Sequence, residues 1–218
     1  MPELLNEPLP PERNLALAYM DGQLRPAASA AFALDARLAA LVAQASEPLL
    51  AQMRLAWWRD QLRLKPSERA LGEPLLAAFG QHWTGQEGVL LAMVDAWEEL
   101  LGDAPLPKSA IARFAEGRAQ AFAALARLAA MDRWAADCVR AAQRWTLADF
   151  ALHTGNGEER DLARALATEF DRPKRLPRQL RGLAILESLA TRSLANGRPL
   201  MEGRSGAMLA LRVGLFGR

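Results

Sequence analysis

The segment EPLLAQMRLAWWRDQLR, Glu47 to Arg63, carries the densest helical signal in the chain. Leu50, Met53 and Trp57 recur at the three- and four-residue spacing that aligns side chains along a helix, and Arg54, Trp58 and Gln61 form the adjacent stripe. Successive helical residues diverge, so Trp57 and Trp58 cannot point the same way, and at least one ring is expected to cover a groove or an interface.

The same periodicity continues on both sides. Upstream it predicts a short helix over Glu12–Met20, ended by a turn at Asp21-Gly22, and a longer one from Pro26 to about Ala45 carrying Ala30, Leu34, Leu38 and Leu41. Downstream it predicts helices near Ser67–Phe79, Gln86–Leu101, Lys108–Ala130, Asp132–His153, Glu158–Thr168 and Pro177–Leu194, with a weaker one over Gly206–Phe216. Ser46 and Ser67 sit where N-caps belong, and Gly155-Asn156-Gly157 reads as a turn. Composition agrees: 44 Ala and 38 Leu stand against 5 Val, 2 Ile and 5 Thr, which favours helices and starves strands. The expectation is a single all-α bundle over residues 12–218. It follows an extended segment, 1–11, in which Pro8, Pro10 and Pro11 oppose a regular start.

At 218 residues the chain can bury a full core without staples, and its single cysteine, Cys138, excludes an internal disulfide and every multi-cysteine metal site. The net charge of +2 conceals an asymmetry: residues 1–170 carry 17 basic and 22 acidic side chains, residues 171–218 carry 10 and 3. Only Lys65, Lys108 and Lys174 are lysines, so the basic groups are mostly guanidiniums, suited to carboxylates, phosphates or carbonyls. No stretch approaches 18 consecutive apolar residues, and the opening MPELLNEPLPPERN has acids and prolines where a signal peptide needs a basic region and an apolar run. A cytoplasmic protein is expected, with peripheral attachment to a membrane surface open through an amphipathic helix or the basic segment. Nucleic acid is not expected as a partner, since the body is acidic and no reading module is present.

Chemistry-bearing residues are sparse. His82 and His153 are far apart in sequence and fit surface or cap positions, no phosphate-cradling glycine loop is present, and no serine has an elbow or a base at a recognised spacing. Asp95, Glu98 and Glu99 share a helical face and could hold a divalent cation or form an exposed polar stripe. Asp35 and Asp149 stand alone on apolar helices, where each could bind an arginine or serve catalysis. The six tryptophans could line a long apolar cavity or fill the core.

With four stretches in order, the chain resembles the squalene and phytoene synthase family, especially its short bacterial members and the related mitochondrial complex I assembly factor. RPAASAAFALDARLAALV is similar to the first catalytic helix and EPLLAQMRLAWWRDQLR to the helix after it. LLAMVDAWEELL with IARFAEGRAQAF resembles the middle pair, and LPRQLRGLAILESLATRSL the late helix. The resemblance implies an isoprenoid-synthase-type helical bundle and, in active members, head-to-head joining of two prenyl diphosphates held by magnesium on two aspartate-rich helices. The first such motif should fall at Arg37–Leu41, which here offers Arg37, Leu38, Ala39, Ala40 and Leu41. The second should fall at Gln143–Phe150, which offers Asp149 alone. Glu99 and Phe114 match the acidic and aromatic positions of the middle helices.

The resemblance therefore implies a catalytically degenerate relative, a pseudoenzyme needing no metal or cofactor. It would act as a protein-binding or assembly factor, with respiratory complex I as the analogous client, at the inner face of the cytoplasmic membrane. Arg54, Trp57, Trp58, Arg59, Arg175, Arg178 and Arg181 are the candidate partner or groove residues. One alternative is a magnesium-dependent prenyltransferase of isoprenoid biosynthesis with Asp95, Glu98, Glu99 and Asp149 as atypical ligands. The other is a non-catalytic isoprenoid or lipid carrier.

Overall fold

A computed structural model describes residues 9–45 and 47–217 and contains ten α-helices, with no strand among the described residues. They are α1 (Pro11–Ala18), α2 (Arg25–Ala43), α3 (Pro48–Arg63), α4 (Pro74–His82), α5 (Glu87–Glu98), α6 (Lys108–Leu128), α7 (Ala135–His153), α8 (Gly157–Glu169), α9 (Arg181–Asn196) and α10 (Gly203–Phe216). The all-α expectation holds.

Proline fixes several starts. Pro11, Pro26, Pro48 and Pro74 each occupy the first turn, where a missing N–H costs nothing and the fixed φ suits the helix. This moves one expected boundary. The helix placed at Ser67 begins only at Pro74, capped by Glu73, whose side chain accepts from the Leu75 N–H, and Ser67 lies inside a separate 3-10 turn. Glu47 occupies the N-cap position of α3, and the Ser46 cap falls outside the described residues. Asn156 caps α8 by accepting from Glu158 and Glu159 N–H, so the glycine-flanked turn is a helix start. α10 starts at Gly203, before the expected Gly206.

α6 and α7 form the centre, with α5 against α6, and α8 and α9 against α7; α2 packs on α4, α5 and α6. Close backbone approach requires glycine at two crossings. A Cβ on Gly117 would lie 2.5 Å from the Ala92 carbonyl oxygen of α5, and one on Gly182 would lie 2.4 Å from the Ala16 carbonyl oxygen of α1. Alanine is the commonest buried residue, and leucines and large rings fill the space it leaves open. Trp58, Trp83, Trp97 and Trp145 are buried, Trp134 is half-buried, and only Trp57 is exposed. Phe32, Phe122 and Trp145 form one aromatic cluster, with centroids 4.8 to 5.9 Å apart; Trp97 and Phe114 form a second, 4.9 Å apart.

α2 is long and apolar enough, by length and composition, to cross a membrane. In the fold it packs inside the bundle: ten of its residues are buried, Asp35 among them, and the Trp83 indole donates to the Ala27 carbonyl at 3.1 Å.

Candidate functional site

Between the two aromatic clusters lies a closed ring of four charges. Arg118, fully buried on α6, donates through Nε and Nη2 to the two oxygens of Asp35 on α2, both at 2.7 Å. The same Nη2 lies 2.8 Å from Asp149 Oδ2 on α7. Arg13 of α1 completes the ring, reaching Asp35 Oδ2 at 2.9 Å and Asp149 Oδ2 at 3.2 Å. Three further groups hold it in place. The Trp97 indole donates to Asp35 Oδ1 at 3.0 Å, the Arg118 guanidinium sits 4.2 Å from the Trp145 ring centroid, and His153 Nδ1 lies 3.3 Å from Asp149 Oδ1.

The sequence pattern accounts for this placement. Phe114, Arg118 and Phe122 recur at four-residue spacing on α6, so Arg118 projects from the same buried stripe as two phenylalanines. Asp35 lies on the α2 stripe with Phe32 and Leu38, and Asp149 on the α7 stripe with Trp145. A charge on an apolar stripe must find a counter-charge inside, because an unpaired buried ion costs several kcal/mol. The formal charges of the ring sum to zero, so each is neutralised within it.

The electrostatics follow from the contacts. Burial alone would raise the Asp149 pKa, but Arg118, His153 and Arg13 outweigh it and hold the carboxyl far below the usual range. Burial likewise opposes the charge on Arg118, and Asp35 and Asp149 reverse that, raising its pKa above the free value. The bond to Asp149 raises His153 to about 9. Cys138 is buried and its thiol is pushed up to about 12, which makes it inert as a nucleophile near neutral pH.

Of the four carboxylates named as atypical magnesium ligands, only Asp95 and Glu98 converge, and they do so on a guanidinium. Asp95 and Glu98 on α5 both pair with Arg59 of α3, Asp95 at 2.7 Å, and Glu99 takes a two-point contact from Arg113 at 2.7 Å. Asp149 belongs to the core ring instead. Among the described residues no three His, Cys, Asp or Glu side chains converge as a metal-binding group. Arg37, where the resemblance would place the first aspartate-rich motif, pairs with Glu73 at 3.0 Å and stacks over Trp58.

The partner and groove candidates divide. Trp58 is core, and Arg59 is a strut between α3 and α5. Trp57 and Arg54 are exposed, and Trp57 shares its face with Leu49, Leu50 and Met53, all at least 40% exposed. Arg175 donates to the Phe216 carbonyl, and Arg181 to the carbonyls of Gly214, at 2.9 Å, and Leu215, so both satisfy the C-terminal end of α10. Arg178 is exposed and lines a cleft of about 790 Å³ with Arg25, Tyr19 and Leu215.

A second cleft, of about 390 Å³, opens beside the charge ring. Val42, Trp97, Leu100, Leu106, Phe114 and Phe150 make its walls apolar, while Arg13, Asp149 and His153 form its polar end. Its volume is at the lower end of the range for small-molecule sites. Sequence reasoning noted Asp35 and Asp149 without joining them and passed over Arg118 and Arg13; the missed signal was an arginine in register with Phe114 and Phe122. No protein-family model, curated protein or solved structure matches the chain.

Proposed function

We propose that the chain is a non-catalytic, squalene/phytoene synthase-like scaffold that binds a protein partner at the inner face of the cytoplasmic membrane. An assembly intermediate of respiratory complex I is the client that the family resemblance suggests. One observation carries the reading. Asp35 and Asp149, the carboxylates on the two helices that resemble the metal-binding pair, are both engaged by Arg118 and Arg13. Metal-assisted departure of a diphosphate needs carboxylates free to bind a cation, and guanidiniums already neutralise both. The stripe of Leu49, Leu50, Met53 and Trp57 supplies a rigid apolar face of the kind that anchors protein interfaces, with an aromatic ring at one end.

The test is a cell lacking the chain, complemented with wild type or with Leu50→Arg plus Trp57→Arg. Wild type should restore assembled NADH:quinone oxidoreductase activity, and the exposed-face variant should accumulate as a folded protein yet fail to restore it. Unchanged enzyme activity in the deletion strain would overturn the complex I reading. Restoration by the variant would overturn the use of α3.

The apolar cleft beside the ring favours a second reading, an isoprenoid or lipid carrier. Farnesyl diphosphate bound without magnesium, quenching Trp97 fluorescence, would support it. No binding, with the protein folded, would exclude it.

A further inference from the structure

α10 is two-faced. Gly206, Ala210, Val213 and Gly214 point inward, with Gly214 against the Tyr19 ring, and the helix packs on α9. Its opposite face carries Arg204, Met208, Leu211 and Leu215 at spacings of four, three and four, flanked by Arg212 and Phe216. Met208 is 70% exposed, Leu215 60% and Phe216 61%.

These large apolar side chains stand in water within the most basic part of the molecule. Arg204 and Arg212 are on the helix itself, and Leu215 also lines the cleft that holds Arg25, Arg178 and Arg181. The acidic groups nearby are few: Asp21 lines that cleft and accepts from the Gln23 N–H, and Glu202 lies 3.9 Å from Arg198. An exposed apolar stripe edged by guanidiniums, on a helix lying along the surface of a folded body, matches the interfacial region of an anionic bilayer. Apolar side chains enter the acyl boundary there, and arginines meet phosphates. An acidic protein would satisfy the arginines but would have to supply a matching apolar groove; a bilayer supplies both chemistries at once.

We infer that α10 is a membrane-docking helix that seats the protein on anionic phospholipid through Met208, Leu211, Leu215 and Phe216, with Arg178, Arg204 and Arg212 on the headgroups. This assignment is independent of what α3 binds.

The test is co-sedimentation of the full chain with vesicles of phosphatidylcholine alone and of phosphatidylcholine mixed with phosphatidylglycerol, at low and high salt. Binding should require phosphatidylglycerol and weaken with salt. Arg204→Gln with Arg212→Gln should weaken it roughly 25-fold, about fivefold for each guanidinium. Leu211→Ser with Leu215→Ser should weaken it by roughly tenfold or more at either salt concentration. These side chains are exposed, so circular dichroism and thermal unfolding should match wild type. Absence of binding, equal binding to neutral vesicles, or retention by both double variants would overturn the inference. So would a lipid-free dimer that Leu211→Ser with Leu215→Ser abolishes, since that would make a second copy the occupant of this face.

Discussion

Replacing Arg118 with methionine is the sharpest perturbation of the core. The guanidinium contacts Asp35 at 2.7 Å and Asp149 at 2.8 Å, and with charge centres about 4 Å apart each pair contributes roughly 4 kcal/mol at an effective dielectric of 20. Desolvating each ion costs several kcal/mol, so the net value of the ring is far below the Coulomb sum. Removing one member is different, because Arg13, with His153 at the edge beside Asp149, then faces two buried carboxylates, and the expected loss is about 3–5 kcal/mol. For a chain of this size that lowers the melting temperature by roughly 10 °C. Replacing Asp35 with leucine as well restores balance, leaving one pair, Arg13 with Asp149. The Arg118→Met, Asp35→Leu double variant should therefore be more stable than the sum of its single changes predicts, by about 1–3 kcal/mol. Urea unfolding followed by tryptophan fluorescence reads this directly, since Trp97 and Trp145 contact the ring. A loss under about 1 kcal/mol for Arg118→Met, or strict additivity of the pair, would show that the four charges are not coupled as a ring.

Other expectations concern pH and packing. His153 is raised to about 9 from an unfolded value near 6.5, so its contribution is full below about 6.5 and is lost as pH rises through 9. The side chain is 77% exposed, and solvent screens the effect. His153→Gln should flatten the melting temperature across that window, and an unchanged slope would remove His153 as its source. Asp149 has the opposite sign: its low folded pKa stabilises above about 3.9 and that stability is lost as pH falls, so Asp149→Asn should reduce the acid sensitivity of the folded state. At Gly117 a new Cβ meets the Ala92 carbonyl, and Gly117→Ala should cost about 1–3 kcal/mol in urea unfolding. Gly88 on α5 faces open space, so Gly88→Ala should be neutral or stabilising by about 0.5–1 kcal/mol.

The helices were legible because their signals are local. Apolar spacing placed α2, α3, α5 and α6, and first-turn prolines mark where α3 and α4 begin. The boundary error at Ser67 arose because a serine resembles a cap while Glu73 and Pro74 hold the stronger start signal. Asp95 and Glu98 share α5 and Glu99 opens the 3-10 turn that follows it, but sequence spacing says nothing of Arg59 and Arg113 on neighbouring elements, which pair with them. The charge ring depends on four helices and on contacts up to 136 residues apart. Its partners could be read only by asking what answers each buried charge. The pair Trp57-Trp58 shows the same limit: divergence was readable, while Trp58 as the buried ring and Trp57 as the exposed one depend on α3 docking on α5 and α2.

The most direct test of the account is turnover of radiolabelled farnesyl and geranylgeranyl diphosphate by the purified protein, with magnesium and a reduced nicotinamide cofactor, beside an active synthase. Carboxylates committed to Arg13, Arg118, Arg59 and Arg113 predict no diphosphate release and no joined product above the level of a Glu99→Gln variant. Release of diphosphate with a C30 or C40 product, lost in Glu99→Gln, would contradict this and make the acidic residues at the end of α5 and just after it a working site.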